Sequence, residues 1–410
     1  MRIKIDGAFL NSPIALYNPL IVLFSMKTGK TIVNPWEVKG NVDYDKLIQE
    51  FGVSKIDKTL LERIEKHAKK KGLELHPFLR RGIFFAHRDL KFILDEYEKG
   101  NKFFLYTGRA PSGNTHMGHL IPWFFTKWLQ DVFDVELWFQ FPDEEKFLFK
   151  EKLTFEEVQK NTYENILDVI ALGFNPKKTK IIIDTVHAGL MYKEAVKVAK
   201  KITFSTVKAA FGFKNENNIG TIFYTAMQAV PSFLPSVLYK KKIPCLIPHA
   251  IDQDPHFRVS RDVVGKLGHY KPASIQCRFL PGLGGMIADG KMSSSSGDNA
   301  TIFTTDDAKT IKKKINKYAF SGGQVTVEDH RRLGGNPDVD VSYQWLTFLE
   351  DDDEKLVKIY NDYKSGELLS GELKAILVDK LQVMMVKHQQ EREKAKKKIN
   401  DYLLNENDFK

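Results

Sequence analysis

The chain has 410 residues, 42% of them hydrophobic and 28% charged, with a formal net charge of +10. This is the composition of a soluble globular protein of two or three domains, and its mild basic excess permits a polyanionic partner without requiring one. Cys245 and Cys277 are the only cysteines, which excludes a disulfide scaffold or a cysteine-rich zinc site and points to a reducing, cytoplasmic compartment.

In chain order, residues 1–30 carry no recognisable pattern and stay unassigned. Their apolar stretch 13–24 is too short to span a bilayer and contains two prolines. Residues 30–39 (KTIVNPWEVK) read as a hairpin broken at Asn34-Pro35. Residues 58–71 read as a helix with Asp57 as N-cap, lysines in the last turn and Gly72 beyond. Residues 78–85 lead into a helix over 89–99, closed by Gly100, so that 31–101 form an N-terminal appendage.

Residues 103–130, FFLYTGRAPSGNTHMGHLIPWFFTKWLQ, organise the rest of the chain. The run 103–107 reads as a buried strand and 108–114 as a glycine-containing loop. From His116 onward Leu120, Ile121, Phe124, Phe125, Trp128 and Leu129 recur at helical spacing, with Thr115 as N-cap. Strand, loop and helix N-terminus in that order make an anion site, because free backbone N–H groups and the positive helix end face the loop. His116 and His119 share one helix face there, and Gly118 between them leaves room for a flat ring to approach.

Further strands are expected at 135–141, 180–184, 243–247 and 273–279. Thr154 and Glu157 form a capping box for a helix running to Leu172, and Asp252 caps a helix over 253–267. Short buried strands separated by helices indicate an α/β fold with a doubly wound parallel sheet, whose ligands bind at the strands' carboxyl ends. Residues 185–240 read as a helical insertion within a domain spanning 102–305, and 306–410 as a helical C-terminal domain. A second flexible loop, PGLGGMIADGKMSSSSGDNA at 281–300, carries one cation, Lys291. A mobile lysine suits a polyphosphate leaving group, on which charge builds as its bond breaks.

HMGH at a helix start and KMSSS beyond the fifth strand resemble the two signatures of class I aminoacyl-tRNA synthetases. LYTGRAPSG (105–113), AIDQDPHFRVSRD (250–262), NKYAFSGG (316–323) and GGNPDVDVSYQWL (334–346) narrow the resemblance to tryptophanyl-tRNA synthetases of the eukaryotic and archaeal type. One departure from the general signature is Ser294, which stands where a second lysine is usual.

The resemblance implies a Rossmann-like catalytic domain and a C-terminal domain that reads the anticodon. It implies ATP-dependent activation of L-tryptophan, transfer to tRNA(Trp), a homodimer and no membrane. His116, His119 and Lys291 are then the catalytic residues. Thr107, Gly108, Arg109, Gly118, Lys146, Met292 and Ser293 join them around ATP. Mg²⁺ bridges the phosphates without a protein metal cage. Tyr106, Gln140, Glu145, Gln228 and Gln253 form the tryptophan pocket, Glu145 holding the α-ammonium. An indole offers one N–H donor and no acceptor, so its pocket needs a fixed acceptor such as Gln140 or Tyr106. The alternatives are a tyrosyl-tRNA synthetase on the same plan, an adenylyltransferase for a smaller substrate, and a non-catalytic RNA-binding paralogue.

Overall fold

The computed structural model describes residues 42–292 and 301–409, together with three short strands near the start. These are β1 (Phe24–Ser25), β2 (Lys30–Val33) and β3 (Val38–Lys39). They form a small antiparallel sheet in which Val33 pairs with Val38, so the expected hairpin is present. The Asn34-Pro35 break, most of the 1–30 extension and the serine run that starts at Ser293 lie outside the described residues.

The central sheet contains β4 (Ser54–Lys55), β5 (Phe84–Arg88), β6 (Phe104–Gly108), β7 (Glu136–Phe141), β8 (Thr179–Ile183), β9 (Cys245–Ala250) and β10 (Ala273–Cys277), in the order β4-β5-β10-β9-β6-β7-β8. From β10 to β8 every pairing is parallel, and these are the five strands read from the sequence. β5 joins β10 antiparallel, and β4 then joins β5. Residues 78–85 therefore do more than lead into a helix: their end begins an inner strand. Phe84, Phe85 and Ala86 are all buried, so no polar alternation marks the segment as a strand.

Chain order reverses beside β6, with β7 on one side and β9 on the other, which puts a crevice at their carboxyl ends. One face of the sheet packs under the helices Lys58–Lys70, Leu90–Glu98 and Met117–Phe133, whose Leu60, Ile93 and Leu120 are fully buried. The other face, with Phe104, Tyr106, Trp138 and Ile182, is covered by the helical segment 185–240 through Met191, Tyr224 and Phe233. The Thr154–Glu157 capping box forms as expected, at 3.2 and 2.9 Å.

Two expected caps differ. The helix Met117–Phe133 has His116, not Thr115, at its N-cap. Thr115 is drawn outward instead: its carbonyl accepts from Thr304 N at 2.9 Å and its hydroxyl accepts from Arg109. Near Asp252 a 3₁₀ turn, Ile251–Gln253, precedes the helix Asp254–Val264, so Gln253 takes the cap position. Asp252 is occupied by an ion pair with Lys291.

The long helix Ser370–Ala395 lies against the helix Phe155–Ala171, where Asp168 accepts from His388 Nε2 at 2.9 Å and from Arg392. Past it the chain reaches the sheet edge. Leu404 N donates to Ile181 O at 2.9 Å, and Tyr402 OH donates to Phe174 O at 2.8 Å. The C-terminal region is thus built into the sheet-bearing unit.

Candidate active site

Gly108 ends β6 hard against β7, and a Cβ there would lie 2.6 Å from the Gln140 carbonyl oxygen. Any larger residue would prise the strands apart, and the bond from Arg109 N to Gln140 O at 2.9 Å would go with them. The Arg109 side chain folds back into its own loop. It donates to Gly113 O at 3.1 Å, to Asn114 O at 3.0 Å and to Thr115 Oγ1. Burial lowers its pKa to about 10, so it stays charged and holds the loop curled at the helix end. Asn165 adds a bond to Gly113 O at 3.1 Å. Thr107 is buried next to Gly108.

At the helix start the rings of His116 and His119 stack with centroids 3.6 Å apart. Burial, then the positive charges of Arg109 and Lys291, push both imidazoles well below their ordinary pKa. They are neutral at physiological pH. His116 N donates to His119 Nδ1 at 3.3 Å, which places the His119 proton on Nε2.

The second loop is pinned beside this pair at both ends. A Cβ on Gly118 would sit 3.1 Å from His116 Nδ1 and 3.4 Å from Met292 Cβ, so the two signatures touch through the glycine. Met292 N donates to Leu280 O at 2.9 Å, and Lys291 pairs with Pro281 as an isolated bridge. On the far side of the serine run, Phe303 bridges His116, and Met117 N donates to Ile302 O at 3.1 Å. Lys291 Nζ itself donates to Asp252 Oδ2, the oxygen that also accepts from Gln253 Nε2 at 2.9 Å. Gln253 therefore belongs with Lys291 as much as with the amino-acid pocket.

Four of the expected pocket residues form a connected polar group. Tyr106 OH donates to Gln140 Oε1 at 2.5 Å and accepts from Gln228 Nε2 at 3.0 Å. Gln228 Oε1 accepts from Tyr224 OH, which also lies 3.1 Å from Glu145 Oε2. Glu145 Oε1 accepts from Lys146 Nζ at 2.6 Å. Burial raises both tyrosine hydroxyls well above their ordinary pKa, so they remain donors.

Three members of the site go beyond the site residues named from the sequence. Tyr224 stands four residues before Gln228 on the helix Ile219–Met227 and its C-cap, a spacing readable in the sequence. Asp184 follows β8 directly, at the carboxyl end where ligand groups gather, and accepts from Gln140 Nε2 at 2.6 Å. Asp252 stands in the motif at 250–262, but the sequence reads it only as a helix cap.

Residues 98–385 match the family model described as tRNA synthetases class I (W and Y). The chain is 53% identical over 369 residues to the tryptophan–tRNA ligase of Sulfolobus acidocaldarius, covering 90% of this chain and 94% of that protein. Its identity to the cytoplasmic tryptophan–tRNA ligase of Saccharomyces cerevisiae is 49% over 397 residues, covering 93% and 90%. Among solved structures, the tryptophanyl-tRNA synthetase of Plasmodium falciparum superposes with a TM-score of 0.82 at 44% identity, covering 88% of this chain and 97% of that one. The enzyme from Encephalitozoon cuniculi, bound to tryptophan, gives 0.81 at 37%, covering 91% and 100%. With both signatures meeting at Gly118 and these relatives matching nearly end to end, the chain belongs to the tryptophan–tRNA ligase family of class I tRNA synthetases.

Proposed function

We propose that this chain activates L-tryptophan with ATP and transfers it to the 3′ end of tRNA(Trp). The observation that carries this reading is the hydrogen-bonded group Tyr106–Gln140–Gln228, in which Tyr106 and Gln140 stand on β6 and β7, and β6 runs into the loop before His116. In the first step a carboxylate oxygen of tryptophan attacks the α-phosphorus in line, and the bond to pyrophosphate breaks. Positioning and charge neutralisation supply most of the acceleration.

His119 offers a neutral Nε2–H to the phosphates, and His116 lies stacked beneath it. Lys291 leaves Asp252 to follow the departing pyrophosphate. Glu145, already paired with Lys146, takes the α-ammonium. In the second step the terminal adenosine hydroxyl attacks the adenylate carbonyl and AMP leaves.

Mg²⁺ belongs to this reading as a companion of ATP. His119, Arg109 and Lys291 around the loops are N–H donors, which suit phosphate oxygens, and the one carboxylate beside them, Asp252, is held by Lys291. The described residues contain no group of three or more His, Cys, Asp and Glu placed to hold a metal. The ion would come coordinated by phosphates and water.

We also assign catalysis to residues 102–305 and anticodon recognition to 306–410. The cytoplasm is the compartment, and no helix among the described residues is long and apolar enough to cross a membrane. A homodimer is supported by Val186, Tyr192 and Ile219, large apolar side chains left exposed on the segment 185–240. ATP–pyrophosphate exchange with each aromatic amino acid at saturating ATP tests the central claim. Tryptophan should support exchange at least about 10⁴-fold better than tyrosine, the scale that hydrogen-bonded pockets reach without editing. Equal exchange with tyrosine would replace this reading by the tyrosyl one, and no exchange would favour a non-catalytic paralogue.

A further inference from the structure

The polar group in the pocket has a direction. Tyr224 OH donates to Gln228 Oε1, Gln228 Nε2 to Tyr106 Oη, Tyr106 OH to Gln140 Oε1, and Gln140 Nε2 to Asp184 Oδ2. Each member donates toward Asp184, which ends the chain as an acceptor.

An amide has two ends of nearly equal shape, so only its partners decide which end faces where. Taking tryptophan as the substrate, we propose that Asp184 is the positioning residue that turns the Gln140 amide oxygen, with its spare lone pair, toward the indole N–H. Without an acceptor at position 184, the Gln140 amide is free to reverse. Its NH₂ would then face Tyr106, which already accepts from Gln228, and the phenol proton would swing into the pocket. The indole N–H would meet a second donor instead of an acceptor.

The site is built to hold this polarity. Gln140 and Asp184 are each only 1% exposed, so water cannot readily substitute for either partner. Asp184 N donates to Phe141 O at 3.2 Å, and the next residue, Thr185, donates its N–H to Asp143 Oδ1 at 3.0 Å. The carboxyl is therefore fixed one step beyond β8, beside the Gln140 strand. Glu144 and Asp143 crowd it, and burial together with Glu144 raises its pKa well above the ordinary value. Glu144 faces Asp184 carboxyl to carboxyl, so a proton kept on either one leaves Asp184 Oδ2 an acceptor for Gln140.

The test compares tryptophan with β-(benzothien-3-yl)alanine, in which sulfur replaces the indole N–H in a ring of the same shape. Exchange is measured for both amino acids with the wild type, Asp184→Ala and Asp184→Asn. A wild type that does not prefer tryptophan over tyrosine would overturn the functional reading, independently of Asp184. Given that preference, Asp184→Ala should lower the tryptophan-to-benzothienylalanine ratio of kcat/KM by about tenfold or more. The loss should appear in KM for tryptophan, with KM for ATP within about twofold. Asp184→Asn should keep the ratio within about threefold, because its oxygen still accepts from Gln140 while its NH₂ faces Glu144. A wild-type ratio in folded Asp184→Ala would overturn the proposal. So would a collapsed ratio in Asp184→Asn, an arm that stands even if the alanine variant does not fold.

Discussion

Lys291 Nζ is bound to Asp252 Oδ2, which ties the second loop's cation to the turn that opens the Asp254–Val264 helix. Any phosphate that Lys291 serves must first outcompete this carboxylate. Lys291→Ala should slow single-turnover adenylate formation by about a hundredfold, the usual loss for one charge-stabilising donor, while tryptophan affinity stays unchanged. Asp252→Asn removes the competitor and should lower KM for ATP by about fivefold, the scale of a partly exposed ion pair. A rise in KM for ATP would mean that Asp252 assists nucleotide binding rather than opposing it.

Neutral histidines should leave a mark on the pH profile. Burial first, then Arg109 and Lys291, depress both His116 and His119 below the ordinary value of 6.5. Neither gains charge as pH falls from 9 to about 6.5, so adenylate formation should show no histidine ionisation in that range. His119→Asn, which keeps a neutral N–H donor, should retain more activity than His119→Leu. A rate that climbs as pH drops through 6.5 would show that an imidazolium is the active form.

Glu144 gives a stability signature of the same origin, burial, with the shift in the opposite direction. Burial, then the charge of Asp143, raises its pKa to about 8. The folded protein therefore binds a proton that the unfolded chain releases near 4.5. This contribution to stability is complete below 4.5 and is lost as pH rises through 8. Glu144→Gln should melt close to the wild type at pH 5 and above it at pH 8.5. Melting curves at the two pH values decide, and a constant difference between them would refute the assignment.

If the C-terminal helices were a separable RNA-reading unit, removing them would spare adenylate formation. The structure argues against that separation. Leu373, Leu377, Leu381 and Met385 are in the same core cluster as Leu120 and Phe139, and Asp168 depends on His388 and Arg392 for its partners. Deleting residues 373–410 should abolish both activities together by unfolding the chain. Arg392→Ala alone should cost about 3 kcal/mol in urea denaturation, the price of leaving a buried carboxylate short of its cation. A loss under about 1 kcal/mol would mean that His388 suffices for Asp168.

Local patterns in the sequence determined a good deal. Helical spacing from Leu120 to Leu129, the Thr154–Glu157 box and the apolar runs of the five parallel strands depend on neighbours a few residues apart, and all are present. Tyr106, Gln140, Glu145 and Gln228 could be named because the chain keeps its family's motifs, and the structure brings their side chains into one hydrogen-bonded group.

Tertiary structure alone decided what depends on distant partners. β5 is a strand because β10 pairs with it across nearly 200 residues of chain, not because its own residues alternate. Thr115 lost the cap because Thr304 and Arg109 compete for it, and Asp252 lost its own to Lys291. Asp184 shows the limit most clearly. In the sequence it is one acid after an apolar run, and only the packing of β8 beside β7 brings it within 2.6 Å of the Gln140 amide. A hydrogen bond's direction is set by both ends at once, and here the two ends are 44 residues apart.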